Sequence, residues 1–206
     1  MEIVKFYKKG RIVTVCFANG ETIKIHYEVL CQTNLRLNQN ISEIKLKEIL
    51  KAEEIFSAKE TALRALTRRI HSQKEIEQKL RKKEISSSVI SKVIEYLLDR
   101  KYLNDFIYAE RFTEERFFRK KYGFNRIKNE LKRKGINESV IKEVFSQYHN
   151  EEDEIEVAAE KAEKKLKYYK KMGKYDDYQM KQKVTAFLIN RGFSFDVARK
   201  TVQKIT

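Results

Sequence analysis

Three histidines, two cysteines and thirty carboxylates are the residues in this chain of 206 best suited to acid–base chemistry or to holding a metal. His26, His71 and His149 fall on different predicted elements, and none has a cysteine or a second histidine at metal-ligand spacing. Cys16 and Cys31 both lie in segments that read as strand, and fit small apolar residues of a reduced protein better than a disulfide framework. Tyr122-Gly123-Phe124 has a lone glycine where a phosphate-cradling loop would need several. Most carboxylates alternate with lysine on predicted exposed faces, where ion pairs along a helix are their ordinary use. The residue pattern therefore assigns no catalytic residue, no cofactor and no metal site, and the chain reads as non-enzymatic.

The basic residues are more informative. Lysine and arginine number 45 against 30 acidic residues, a formal charge of +15, and the sequence pI is near 9.6. Such a balance fits a nucleic-acid or nucleoprotein partner; it also fits a helical protein with a heavily solvated surface. The surplus is local. Between Arg111 and Lys134 stand ten Lys/Arg against Glu114, Glu115 and Glu130, a net +7. At helical spacing Lys128 and Lys132 share one flank of the apolar stripe of Ile127 and Leu131, and Arg126 and Arg133 share the other. Lys83, Lys134 and Arg191 occupy the last turns of three predicted helices and are assigned to the helix dipole. The partner-facing candidates are Arg116, Lys120, Lys121, Arg126, Lys128, Lys132 and Arg133, which would contact phosphates without reading sequence. Aromatic residues crowd the same stretch; Phe117, Phe118 and Tyr122 cannot all face inward, so one or more is a candidate contact.

The elements that must position these residues follow from a phrase written three times. It runs Ile127, Leu131, Gly135-Ile136-Asn137, Val140-Ile141, Val144-Phe145. An earlier copy reads Ile76, Leu80, Glu84-Ile85-Ser86, Val89-Ile90, Val93-Ile94, and a later one Val184, Leu188, Gly192-Phe193-Ser194, Val197-Ala198, Thr201-Val202. Fixed-period similarity means one supersecondary unit in series. The first apolar pair lies one helical turn apart. Glycine then permits the left-handed residue that ends a helix, and Ser86, Asn137 or Ser194 caps the next one. The closing apolar pairs form a buried stripe. Glu84 lacks the glycine, so its turn should close differently or with strain. Another helix precedes each copy. The first opens at the capping box Ser57-Ala58-Lys59-Glu60, with Ser72-Gln73-Lys74-Glu75 opening the helix of Ile76. The second follows Asn104, and the third follows the acidic run Glu151-Glu152-Asp153-Glu154. Each repeat is thus three helices.

Before the repeats the pattern alternates to about Leu30. Lys9-Gly10 and Asn19-Gly20 mark turns, which predicts a small antiparallel sheet; residues 41 to 54 predict a short connecting helix. The expected architecture is mainly α, a tandem array of three three-helix repeats behind a β-rich extension. The segments are 1–56, 57–103, 104–149 and 150–206. No apolar run is long enough to span a membrane, and the N-terminus has no secretory pattern, so a cytoplasmic monomer is expected.

Several of these residues resemble the RecX family of RecA regulators. The resemblance lies in Ala62-Leu63-x-x-Leu66-x-x-Arg69, Ser72-x-x-Glu75-Ile76-x-x-x-Leu80 and Tyr102-Leu103-Asn104-Asp105-x-x-Tyr108-Ala109. It is densest in Arg116 followed by Lys120-x-x-Gly123-x-x-Arg126-Ile127-x-x-Glu130-Leu131-x-x-Lys134-Gly135-Ile136, and continues in Arg191-Gly192-Phe193. Asn19-Gly20-Glu21 and Glu28-Val29-Leu30 are similar to the extension of some members. Glu84 and Asn104 depart from the usual glycine and aspartate, both at helix boundaries. The resemblance implies a regulator of recombination, DNA repair and the SOS response. Such a protein binds the RecA nucleoprotein filament, lies along its groove and limits its extension, ATPase and strand exchange. An array touching several protomers would gain avidity from weak contacts. The competing reading is a sequence-independent binder of single- or double-stranded DNA that affects RecA only indirectly. On the first reading, charge reversal at Arg126 and Lys128 weakens inhibition and leaves the fold intact.

Overall fold

The computed structural model describes residues 1–148 and 150–206; His149 lies outside the described residues. Strands β1 (Ile3–Lys9), β2 (Ile12–Phe17) and β3 (Thr22–His26) form an antiparallel sheet in the order β1-β2-β3. Lys9 pairs with Ile12 across a two-residue turn at Gly10, and Cys16 pairs with Thr22 across the Asn19-Gly20 loop. Both turns lie where their residue pairs predict them.

The strand pattern ends earlier than its alternation suggests. Tyr27–Thr33 is a helix, α1, which buries Val29 and ends on Asn34 in the left-handed region (φ 50°). About two turns of helix hold too few apolar residues to show a period, so Cys31 sits on an exposed helical face while Cys16 is on β2; both are free thiols.

The connecting helix and the first helix of the first repeat are one element. Helix α2 (Glu43–Leu66) runs unbroken through Ser57, opened by the Ser42 hydroxyl accepting from the Lys45 N–H. Ser57-x-x-Glu60 has the letters of a capping box, but no glycine or proline precedes it to stop the chain. A mid-helix serine costs little compared with breaking a helix that Ile49, Ala58 and Ala62 bury along its length.

Helices α3 (Gln73–Arg81) and α4 (Ser87–Asp99) complete the first repeat. The second comprises α5 (Asp105–Glu114), which continues into a π-helical turn (Glu115–Arg119), then α6 (Phe124–Arg133) and α7 (Glu138–Tyr148). The third comprises α8 (Glu151–Met172), α9 (Asp177–Asn190) and α10 (Phe195–Ile205). The acidic run does open α8, with Asn150 accepting from the Glu152 N–H. No helix among the described residues is long and apolar enough to cross a membrane.

The repeated phrase folds as one motif in all three copies. Glu84, Gly135 and Gly192 have φ of 60°, 85° and 95°. Behind each, the next N–H returns to the buried leucine's carbonyl: Ile85 to Leu80 (3.4 Å), Ile136 to Leu131 (3.1 Å) and Phe193 to Leu188 (3.2 Å). Glu84 therefore closes its turn in the same left-handed way, against the steric preference of any residue with a Cβ. Capping varies more. Ser194 accepts from the Val197 N–H and Asn137 from the Ser139 N–H, whereas Ser86 makes no such bond, its hydroxyl accepting from Lys51 Nζ at 3.0 Å.

The described chain forms two compact units, Met1–His71 with Glu75–Leu103, and Ser72–Lys74 with Asn104–Thr206. The first holds two apolar clusters: one under the sheet, around Val15, Ile25 and Ile49, and one inside the first repeat, around Ile76, Leu80 and Val93. The second holds a single core in which Ile127, Leu131 and Val144 pack with Val184, Leu188 and Val202. The second and third repeats thus bury their stripes together, as expected of units too small to bury one alone.

Candidate partner-binding surface

The basic stretch of the second repeat begins in the π-helical turn. Lys120 N–H reaches Glu115 O at 3.2 Å, five residues back. That wider turn sends Phe117 into the core (1% exposed) and leaves Phe118 45% exposed. Lys121 then adopts φ 55°, and Tyr122 N–H closes the loop on Arg116 O at 3.0 Å. Two of the three aromatic residues in question are accounted for here, Phe117 inside and Phe118 outside.

Tyr122 lies under two guanidinium groups, those of Arg126 and Arg191, at 3.9 and 4.8 Å from its ring centre. Arg191 donates from Nε to the Lys121 carbonyl at 3.1 Å and from its terminal nitrogen to the carbonyls of Lys120 and Lys121. Burial lowers the Arg191 pKa, with Arg126 pushing the same way and Tyr122 opposing. Arg191 is therefore a clamp on the loop after the π turn. Its place at the end of α9 gave only the helix-dipole reading, because the partner carbonyls lie seventy residues away in sequence.

The other predicted cations divide into paired and unpaired. Arg116 and Arg126 donate from Nε to the two oxygens of Glu130 at 2.9 and 3.0 Å, and Arg116 also pairs with Glu115 at 3.1 Å. Burial pushes the Glu130 pKa up, but the two guanidinium groups outweigh it and hold the carboxyl below its ordinary value. Lys128 and Lys132 both hydrogen-bond Glu138, which lowers that carboxyl to about 2. Lys121 Nζ lies 2.8 Å from Glu160, whose pKa its hydrogen bond lowers.

Lys120 and Arg133 are exposed, and no carboxylate among the described residues lies within ion-pair reach of either. Arg111 and Arg119 share that condition without having been among the seven candidates. Because Glu115 and Glu130 offset Arg116 and Arg126, the local excess rests on these four residues and on the Lys128/Lys132/Glu138 group, which keeps one charge over. The exposed Phe118 is one residue from Arg119. Such a surface attracts polyanions at long range and could stack one base or side chain; the described residues include no cluster of three metal-ligating side chains.

The family model for the first three-helix domain of RecX matches residues 58–97, that for the second domain residues 104–144, and that for the third residues 151–202. The chain is similar to the regulatory protein RecX of Clostridium perfringens, 32% identical over 194 residues, covering 94% of this chain and 90% of that one. It is 33% identical over 207 residues to the regulatory protein RecX of Bacillus cytotoxicus, covering 100% of this chain and 75% of the other. A crystal structure of regulatory protein RecX shares the fold with a TM-score of 0.78 over 98% of both chains at 21% identity. RecX from Lactobacillus salivarius superposes with a TM-score of 0.68 at 27% identity, over 75% of this chain and 97% of that one.

Proposed function

The chain belongs to the RecX family, and from that premise we propose that it is a non-enzymatic, cytoplasmic and monomeric regulator of RecA. It binds the RecA nucleoprotein filament and limits filament extension, ATPase turnover and strand exchange. The β-rich extension runs through the unbroken α2 into the first of three successive binding units, and the second and third follow from residues 104 and 150.

The observation that carries this reading is the unpaired basic surface of the second repeat, where Arg111, Arg119, Lys120 and Arg133 face solvent with no carboxylate partner among the described residues. Their affinity for a polyanionic filament is not already satisfied within the chain. Of the ion-paired candidates, Lys128 and Lys132 add the one charge that Glu138 leaves over, while Arg116, Lys121 and Arg126 are offset by their carboxylates and support the surface structurally.

The test is RecA ATPase on single-stranded DNA with a variant carrying Arg119→Glu, Lys120→Glu and Arg133→Glu. Inhibition should fall while the helical circular dichroism and thermal midpoint stay near those of the parent. Unchanged inhibition would remove these residues from the interface. Arg126→Glu is a poor substitute, since Arg126 also supports Tyr122 and Glu130.

The same unpaired cations favour a second reading, direct DNA binding with an indirect effect on RecA. Salt separates the two. Phosphate contacts weaken steeply as salt rises, so inhibition that persists where naked-DNA binding has vanished supports a protein partner. Loss of both in parallel supports DNA.

A further inference from the structure

The third repeat differs from the other two at one surface position. In the second repeat, Lys128 and Lys132 on α6 meet Glu138 at the start of α7, an exposed group of ion pairs. One repeat earlier, the positions are held by Glu77, Arg81 and Ser87, and Arg81 pairs with Glu77 at 3.7 Å. One repeat later, the repeated phrase places Thr185, Ile189 and Phe195 there. Ile189 is 42% exposed and Phe195 63%. The same site on the same scaffold has exchanged ion pairs for an apolar face.

That face is concave. Helices α9 and α10 frame a groove of about 550 Å³, with Tyr178, Ile189 and Phe195 on its walls and Val202 among its lining residues. Tyr178 is 71% exposed. From Tyr178 to Ile189 the groove follows three turns of α9, about 16 Å, the length of a short recognition helix. An exposed apolar patch rimmed by polar side chains marks an interaction site.

The cations on the groove identify its occupant. Lys181 and Arg199 both line it, and no carboxylate among the described residues pairs with either. A second copy of this chain would set Lys181 and Arg199 of one molecule against those of the other, within a protein of formal charge +15; like charges so placed oppose association. A single strand of nucleic acid would gain two phosphate contacts and stack bases on Tyr178 and Phe195, but it brings no aliphatic surface to match Ile189 and Val202 along the same groove.

We propose that this groove binds an amphipathic helix of a protein partner, one whose apolar stripe is flanked by carboxylates. The apolar stripe fills the space between Tyr178, Ile189 and Phe195, and the flanking carboxylates pair with Lys181 and Arg199. The inference rests on the third repeat alone and does not require that the second repeat face a filament.

The test uses the full chain and a fluorescein-labelled synthetic peptide of about fourteen residues, with leucines at i, i+3, i+4 and i+7 and glutamate at the other helical positions. Its counterpart carries lysine in place of glutamate. One variant, Thr185→Lys with Ile189→Lys and Phe195→Glu, writes the second repeat's ion-pair group onto the third and raises the net charge by one. A second variant is Lys181→Glu with Arg199→Glu. Fluorescence anisotropy should show the acidic peptide binding the parent and losing about tenfold or more in affinity to either variant, as removal of central contacts does. The lysine peptide should bind the parent at least about tenfold more weakly than the glutamate peptide. Undiminished binding to the triple variant would overturn the proposal by showing attraction to net charge alone. So would equal binding of the two peptides, or the absence of binding to the parent. Sedimentation that shows a parent dimer abolished by the triple variant would overturn it in favour of a second copy.

Discussion

Gly123 stands so close to Gly192 that a Cβ on it would lie 2.3 Å from the Gly192 carbonyl carbon and 2.2 Å from the Phe193 nitrogen. Two backbone hydrogen bonds bind the segments together: Gly123 N–H donates to Arg191 O and Asn125 N–H to Gly192 O, each at 3.0 Å. In the reverse direction a Cβ on Gly192 would sit 2.3 Å from the Arg126 Cβ and 2.5 Å from the Arg126 nitrogen. The start of α6 and the turn after α9 are thus locked backbone to backbone, and the clamp of Arg191 on the Lys120 and Lys121 carbonyls lies beside that contact.

Substituting either glycine by alanine should therefore destabilise the second unit by on the order of 3 kcal/mol, toward the upper range of single substitutions. Gly10→Ala is the control. Gly10 has φ 61° but nothing within 4 Å of an added Cβ, so only the left-handed strain applies, about 1 kcal/mol. Chemical denaturation of the three variants checks the order; Gly123 has φ −73° and carries no left-handed strain, so a loss at Gly123 no larger than that at Gly10 would show that a small backbone shift relieves the close approach.

Glu84 predicts the opposite sign. It holds φ 60° where its two counterparts are glycine, so Glu84→Gly should stabilise the first unit by roughly 0.5–1 kcal/mol. Relief of left-handed strain exceeds the entropy that glycine adds to the unfolded chain. Gly135→Ala should destabilise, since its Cβ would meet the Lys74 Cβ and Cδ at 2.7 Å. A lower denaturation midpoint for Glu84→Gly would contradict the shared turn geometry.

How much of this was legible in sequence depends on the range of the cause. The Asn19-Gly20 hairpin, the Asn104 and Ser194 caps and the thrice-repeated apolar phrase act within a few residues, and each folds as its letters indicate. Helix α1 was not legible, because seven residues with one buried side chain carry no period. The continuity of α2 was hidden by a capping box that tertiary burial overrides. At the candidate surface, net charge was legible but pairing was not. Glu160 neutralises Lys121 from 39 residues away and Arg191 reaches Lys120 from 71, distances over which side-chain identity gives no contact.

The Glu138 carboxyl makes a prediction about pH. Its folded pKa is about 2, below the ordinary 4.5, because Lys128 and then Lys132 hydrogen-bond the ionised form. A lowered carboxyl pKa stabilises the fold above the unfolded value and loses that contribution as pH falls through the folded one. The loss therefore belongs between about pH 4.5 and 2. Carboxyl-detected NMR titration should find Glu138 among the last carboxylates to protonate, and Lys128→Met with Lys132→Met should return its midpoint toward the ordinary range. The group is exposed, so added salt should raise the midpoint as well. An ordinary midpoint in the parent at low salt would remove the triad.

Arg191 should matter to stability more than its place at a helix end suggests. Arg191→Lys keeps the charge but loses the planar fork that serves two carbonyls and a ring at once. It should cost nearly as much as Arg191→Ala, about 1–3 kcal/mol, since both leave the Lys120 and Lys121 carbonyls without their donor. If lysine restores parental stability, the helix-dipole reading is sufficient and the clamp is not.

The shared core of the second and third repeats carries the last prediction. Leu131 and Leu188 are both fully buried in one apolar cluster, although they belong to different copies of the repeated phrase. Leu131→Ala opens a cavity at a cost of about 2–5 kcal/mol. If each repeat folded independently, that loss would stay within α5, α6 and α7. A common core instead spreads it, because α8, α9 and α10 lose packing partners when the second repeat opens, and the Gly123–Arg191 bond breaks with it. Native-state hydrogen exchange of Leu131→Ala should show α9 and α10 amides losing protection alongside those of α6. The same substitution at Leu80, whose cluster lies in the other unit, should leave α9 and α10 unchanged. Unaltered protection of α9 and α10 in Leu131→Ala would show that the two repeats touch but do not fold as one.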